Sequence, residues 1–220
     1  MTAPRAVGVR LPYDAVPAAV RTWVDAELGS PVVATAEQVG GMSPGCATRL
    51  TCADGTRAFV KAVGSELNPD TPGLFRREIG VLRHIGEHEL WARLLASYDD
   101  GVWVALLIED VEGRHPDFAD PAELDAVLTG VDRLTAVLQH RGVPSSVDLV
   151  DVGHVFGKWA ASLSSLDSAP AATPVPDWLR TDPEGWAEVL RHQAGLPMPY
   201  VAHWDIRVDN LLRRPAGGVV

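Results

Sequence analysis

The residues with the most chemical potential are in the run His203-Trp204-Asp205-Ile206-Arg207-Val208-Asp209-Asn210, followed by the apolar pair Leu211-Leu212. An Asp that accepts a hydroxyl proton, placed five residues before an Asn that ligates magnesium, serves phosphoryl transfer. A polar loop with chance spacing is the bland alternative, and three earlier features weigh against it. Lys61 is the lone charge in the apolar run Ala58-Phe59-Val60-Lys61-Ala62-Val63. Strand alternation puts Phe59, Lys61 and Val63 on one face, so the ammonium either snorkels to water or meets an anion. Glu78 shares helical spacing with Leu74, Val81, Leu82 and Ile85, which makes it a candidate partner for Lys61; surface pairing with Arg76, Arg77 or Arg83 is the rival. The run Gly40-Gly41-Met42-Ser43-Pro44-Gly45 has three glycines in six residues, which lets backbone N–H groups approach phosphate oxygens. A plain Gly-rich hairpin turn is the alternative there. No Gly-Lys-Ser/Thr run exists, which excludes a Walker-type site.

These residues need elements to hold them. Val16, Val20, Trp23, Val24 and Leu28 recur at helical spacing and stop at Gly29. Strands are expected over Val32–Val39, Cys46–Cys52 and Arg57–Val63, the last two joined by a turn at Asp54-Gly55. Leu74–Ile85 reads as a helix, and Leu94–Tyr98 and Val102–Ile108 as a hairpin around Asp99-Asp100-Gly101. Glu109 to Gly113 is an acidic connector. Beyond it the pattern is helical. Asp120-Pro121-Ala122-Glu123 predicts an N-cap with a capping box, opening a stripe of Leu124, Val127, Leu128, Val131, Leu134 and Leu138. A second helix carries Val152, Phe156, Trp159, Leu163 and Leu166. Ser168–Pro176 is a loop, and Thr181-Asp182-Pro183-Glu184 opens a shorter helix through Trp186 and Leu190.

The composition limits the partners. The 220 residues hold 29 acids against 19 Lys plus Arg, a formal charge of −10, so nucleic acid is a poor partner. With 46% hydrophobic residues and seven Trp, wholesale disorder is excluded. The longest apolar run, Val102–Ile108, has seven residues where a membrane span needs ~20. Met1-Thr-Ala-Pro-Arg-Ala lacks the pattern of a secretory signal, so no membrane and a cytoplasmic location are expected. Cys46 and Cys52 on one strand would sit ~20 Å apart, too far for a disulfide, and are expected as buried thiols.

Taken in chain order, Gly loop, strand Lys, helix Glu and His-x-Asp-x-x-x-x-Asn resemble the aminoglycoside phosphotransferase and choline kinase-like family. The resemblance runs from about Gly40 onward and implies an α+β, two-lobed protein-kinase-like fold with an antiparallel-sheet N-lobe and a mostly helical, incomplete C-lobe. It places the nucleotide-binding lobe in 1–108, a hinge in 109–113 and the helical lobe in 114–220. It implies ATP (or GTP) and Mg²⁺ as cofactors and a small-molecule hydroxyl acceptor: an aminoglycoside, amino alcohol or sugar. By that resemblance the Glu109 carbonyl and Val111 N–H hold the base, and Ser43 belongs to the phosphate loop. Lys61 holds the α and β phosphates with Glu78 orienting it. Asp205 positions the acceptor hydroxyl, Arg207 lies near the transferred group, Asn210 ligates magnesium and His203 braces the loop.

Two departures stand out. Trp204 occupies a position where the family more often has Gly. No Asp follows Asn210, whereas the family carries a second magnesium-binding Asp further on, so the chain is expected to be part of a longer kinase. A nucleotide-binding but catalytically inactive fragment or pseudokinase is the alternative. Between Glu109 and Asp125 seven acids face one Arg, which could draw a cationic acceptor, although connector and capping duties account for most of them.

Overall fold

A computed structural model of the chain describes residues 10–38, 44–166 and 175–220. It has two compact units, one of Met1–Val147 with Ala202–Val220 and one of Asp148–Val201. In the first, β1 (Val32–Glu37), β2 (Cys46–Cys52), β3 (Arg57–Gly64), β4 (Leu94–Asp99) and β5 (Trp103–Glu109) form one sheet. All neighbours pair antiparallel, in the order β1-β2-β3-β5-β4. The strands match the expected apolar runs closely, and β2 has the expected ends. Val39, expected in β1, lies outside the described residues, as do Gly40 to Ser43 of the Gly-rich loop.

Period-two alternation sends each strand to two cores. On one face Val20 and Val24 of α1 (Ala18–Leu28) meet Leu50, Val60, Ala62 and Leu107. Each such fully buried side chain is worth ~1.5–3 kcal/mol over an exposed one. Gly29, at φ 69°, ends the helix as expected. On the other face Phe75 and Ile79 of α2 (Thr71–Ile85) meet Val63, Val104 and Leu106. This helix starts before the expected Leu74. The Asn68 side chain accepts from the Asp70 and Thr71 N–H groups at 2.9 and 3.0 Å, and Pro72 suits a first turn that needs no donor.

The third helix, α3 (Pro121–Gln139), seats Leu138 against Ile85, Leu90 and Trp91. Asp120 caps it, accepting from Ala122 N–H at 2.9 Å. The capping box is not formed. Glu123 instead accepts from the Asp117 N–H at 2.7 Å and pairs with the Arg114 guanidinium, a stronger charged donor than the cap's own N–H. Arg114 and that N–H hold the Glu123 carboxyl at about 2, below its ordinary 4.5. A lowered carboxyl pKa stabilises the fold fully above about 4.5 and loses that contribution as pH falls toward about 2. Urea midpoints should therefore separate wild type from Arg114→Ala at pH 6 and converge at pH 2. An undiminished gap at pH 2 would contradict the assignment.

The second unit holds α4 (Val152–Ser164), α5 (Asp177–Thr181) and α6 (Pro183–Ala194). Asp151 and Asp182 cap α4 and α6 by accepting from His154 and Gly185 N–H groups. Ala160 and Ala187 are buried, and Trp178 meets Trp186 edge-on at 5.2 Å. The short α5 was not expected; Trp178 and Leu179 fall too close to the Pro-rich stretch to show a helical period.

Cys46 and Cys52 are free, buried thiols, as expected. Burial pushes the Cys46 thiol up to about 11, so it is no nucleophile at neutral pH. Among the described residues no helix is long and apolar enough to cross a membrane.

Candidate active site

Lys61 lies in β3 between Ala47 of β2 and Leu106 of β5. It does not snorkel to water alone. Its Nζ is 2.8 and 2.6 Å from Glu78 Oε1 and Oε2, and 5.4 Å from the centre of the Phe75 ring. Both partners are about one-third exposed or less, at 28% and 34%, so the pair is only partly enclosed. Two of the rival arginines, Arg76 and Arg83, are engaged elsewhere. Arg76 makes a two-toothed contact with Asp99 at 2.8 Å, and Arg83 donates to Ser97. Strand alternation and the α2 apolar face thus aim Lys61 and Glu78 at the same space.

The motif segment forms a closed network around Asp205. Asn210 Nδ2 donates to Asp205 Oδ2 and to the Asp205 carbonyl, each at 2.9 Å. Arg207 Nε stands 3.1 Å from Asp205 Oδ1, and Arg207 Nη2 donates to Asp209 Oδ2 at 3.0 Å. A 3-10 turn over Val208–Asn210 makes this reach-back possible. His203 precedes it. The residue is exposed by surface area, yet enough protein surrounds it that desolvation lowers its imidazole pKa, against the raising pull of Asp205 and Glu78. The same ring feels Lys61, which brings the motif segment into the electrostatic neighbourhood of the strand–helix ion pair.

Residues after the motif back it. Arg114 and Arg213 exchange backbone hydrogen bonds at 3.2 and 2.8 Å, and Leu212 pairs with Val220 at 2.8 and 2.9 Å. His115 Nδ1 is 2.9 Å from the Leu211 carbonyl. Gly113 permits this approach, since a Cβ there would come within 2.7 Å of the Arg213 carbonyl.

Of the other sequence candidates, Glu109 ends β5 opposite Ala58, and its N–H donates to the Arg93 carbonyl at 2.8 Å. Val111 is buried, and Arg49 Nη2 donates to its carbonyl at 2.5 Å. Among the described residues nothing accepts from the Val111 N–H. Asp110 belongs to the acidic connector, where acids ordinarily face water, but its side chain is only 1% exposed and points inward to Arg49 at 2.7 Å and Arg57 at 2.6 Å. Two cations outbid water for it. Glu112, by contrast, is exposed. Ser43 lies outside the described residues. Gly45, the last of the loop glycines, has φ 99° and packs against the Ala62 carbonyl, a place no side chain fits.

A separate hollow of about 640 Å³ is lined by Glu87, His88, Glu89, Arg93, Glu109 and Arg214. It shares Glu109 with the connector but none of Lys61, Glu78 or Asp205. Two ion pairs, Arg93–Glu87 and Arg214–Glu109, already use much of its charge. Sequence reasoning missed Asp110, Arg49 and the buried Asp209. Only Asp209 carried a signal, through its place inside the motif.

No protein-family model matches the chain, and no curated protein matches it. Among solved structures it is similar to an aminoglycoside phosphotransferase from Alicyclobacillus acidocaldarius subsp. acidocaldarius DSM 446, at 15% identity and a TM-score of 0.53. The match covers 86% of this chain and 60% of that one, so the chain spans less than two thirds of that protein's length. The α+β architecture with its five-stranded antiparallel sheet is thus of the kinase-like kind.

Proposed function

We propose that the chain is a phosphotransferase that moves the γ-phosphoryl group of ATP, or GTP, to a hydroxyl of a small molecule. The observation that carries this reading is the partly exposed Lys61 ammonium held by both oxygens of Glu78, in the unit that also holds Asp205 and Asn210. In this reading residues 1–108 are the nucleotide-binding lobe, 109–113 the hinge and 114–220 the helical lobe. The buried Val111 N–H and the Glu109 carbonyl meet the base, with Ser43 in the phosphate loop. Lys61 neutralises phosphate charge while Glu78 keeps its ammonium in place. As the acceptor oxygen bonds to the γ-phosphorus, the bond to the bridging oxygen breaks, the nucleoside diphosphate leaves, and Asp205 takes the hydroxyl proton. Arg207 meets the charge on the phosphoryl group in transit.

Magnesium fits the oxygen donors present. Asn210 spends its amide N–H groups on Asp205, which leaves its Oδ1 as an acceptor for the ion. No group of three His, Cys, Asp or Glu side chains converges among the described residues, and Mg²⁺ commonly relies on phosphates and water for the rest of its shell. When bound, the ion supplies charge neutralisation at the β and γ phosphates.

The proposed acceptor is an aminoglycoside, an amino alcohol or a sugar, a choice supported by the family resemblance of the motifs. Nucleic acid and membranes are not proposed partners of a chain with a formal charge of −10, and the proposed location is cytoplasmic. A second reading, nucleotide binding without transfer, has one observation in its favour. Both Asp205 carboxylate oxygens are already engaged, by Arg207 and Asn210.

Calorimetric titration with Mg·ATP and Mg·GTP, beside transfer from labelled nucleotide to a panel of those acceptors, tests both readings. Binding with transfer is expected. Binding alone moves the conclusion to the second reading, and no binding of either nucleotide sinks both. In the same assay Lys61→Ala should weaken nucleotide binding by about 10- to 150-fold, since a hydrogen bond to a charged group is worth about 1.5–3 kcal/mol. An unchanged affinity would remove Lys61 from the phosphate site.

A further inference from the structure

The motif contains one acid for which phosphoryl transfer has so far supplied no task. Asp209 has a side chain only 1% exposed, with Oδ2 paired to Arg207 Nη2 at 3.0 Å. Its Oδ1 is buried and has no hydrogen-bond partner among the described residues. An unpaired carboxylate is costly to enclose in this way, so the cation beside it is held close. The other edge of the same guanidinium faces Asp205, with Nε 3.1 Å from Oδ1, and Asp205 is 60% exposed. One planar, rigid group therefore spans a buried carboxylate and an exposed one. The buried contact narrows the rotamers open to the long Arg side chain beside Asp205.

We propose that Asp209 is a positioning residue that acts through Arg207, fixing its guanidinium beside Asp205 where the phosphoryl group passes. Asn210 orients Asp205 from the Oδ2 side, and the Asp209–Arg207 pair orients it from the Oδ1 side. The carboxylate is thus aimed from both flanks. This role rests on the phosphotransferase reading above. It adds a residue whose work is done at one remove, with no contact to substrate.

The test is a double-mutant cycle on steady-state transfer, with wild type, Asp209→Asn, Arg207→Ala and the double variant. Asp209→Asn should lower kcat by about 10- to 100-fold and leave the Mg·ATP KM within about twofold, because a group misaimed in the transition state costs kcat rather than ground-state binding. The double variant should be no slower than Arg207→Ala alone. A double variant slower than Arg207→Ala, or an Asp209→Asn loss that appears in KM alone, would overturn the proposal. Thermal melts accompany each variant. If Asp209→Asn does not fold, Arg207→Gln with Asp209→Asn, which removes both charges together, is compared with Arg207→Gln. Equal kcat supports the role and a further drop overturns it. A wild-type chain with no transfer at all defeats the phosphotransferase reading, and this role with it. An active wild type without the coupling defeats only the role of Asp209.

Discussion

Asp205→Asn is expected to lower kcat by about three orders of magnitude, within the ~10²–10⁴-fold range of general-base catalysis, while nucleotide affinity stays within about twofold. The substitution keeps the shape of the side chain and removes its capacity to take a proton. It also replaces one carboxylate oxygen with an amide nitrogen, which would face either Asn210 Nδ2 or Arg207 Nε, both donors. The loss is therefore chemical and geometric at once. Binding is spared because the Asp205 contacts stay within the motif, whereas Lys61 is held separately by Glu78. Single-turnover transfer with saturating nucleotide, read beside calorimetry, separates the two quantities. Activity within tenfold of wild type would take the proton-accepting role away from Asp205.

The second large effect is on stability. With both Arg49→Ala and Arg57→Ala, the Asp110 carboxylate would be left buried with neither ion-pair partner, at a cost of about 3–5 kcal/mol. That is a large share of the ~5–15 kcal/mol that holds a typical domain together. Arg57→Ala alone should cost much less, because that side chain is 45% exposed and Arg49 remains 2.7 Å from Asp110. Adding Asp110→Asn to the double variant should recover more than half of the loss, since a neutral amide is far cheaper to bury. Recovery is not complete, because Arg49 also holds the Val111 carbonyl. Urea unfolding of the four chains reads these differences directly. A double variant within about 1 kcal/mol of wild type would contradict the burial assigned to Asp110.

The parts of this fold and candidate site that could be read in advance are those set by local period. Cys46–Cys52 alternates cleanly and forms a strand with those ends. Lys61 and Glu78 were legible because each is the one charge on an otherwise apolar face, and a buried charge needs a partner. Where several partners compete, spacing alone fails. Glu123 has the sequence position of a capping box, but Arg114 and the Asp117 N–H outcompete the cap. Asp110 sits in an acidic run that looks solvated, and the cations that draw it inward come from β2 and β3. Arg49 and Val111 are 62 positions apart, a pairing no local pattern encodes. The short α5, next to a Pro-rich stretch, escaped for the opposite reason: too few residues to set a period.

The ladder joining Arg114 to Arg213 also orders events in time. Every strand of the sheet lies between Val32 and Glu109, so its pairing partners are near one another along the chain. The backing of the motif spans far more: His115 to Leu211 is a separation of 96 and Glu109 to Arg214 one of 105. At ~5–20 residues per second of synthesis, about 100 further residues take roughly 5–20 s. All five strands, with Lys61 among them, are thus translated before Asp205. Lys61 and Glu78 thus leave the ribosome well before the motif segment has been made.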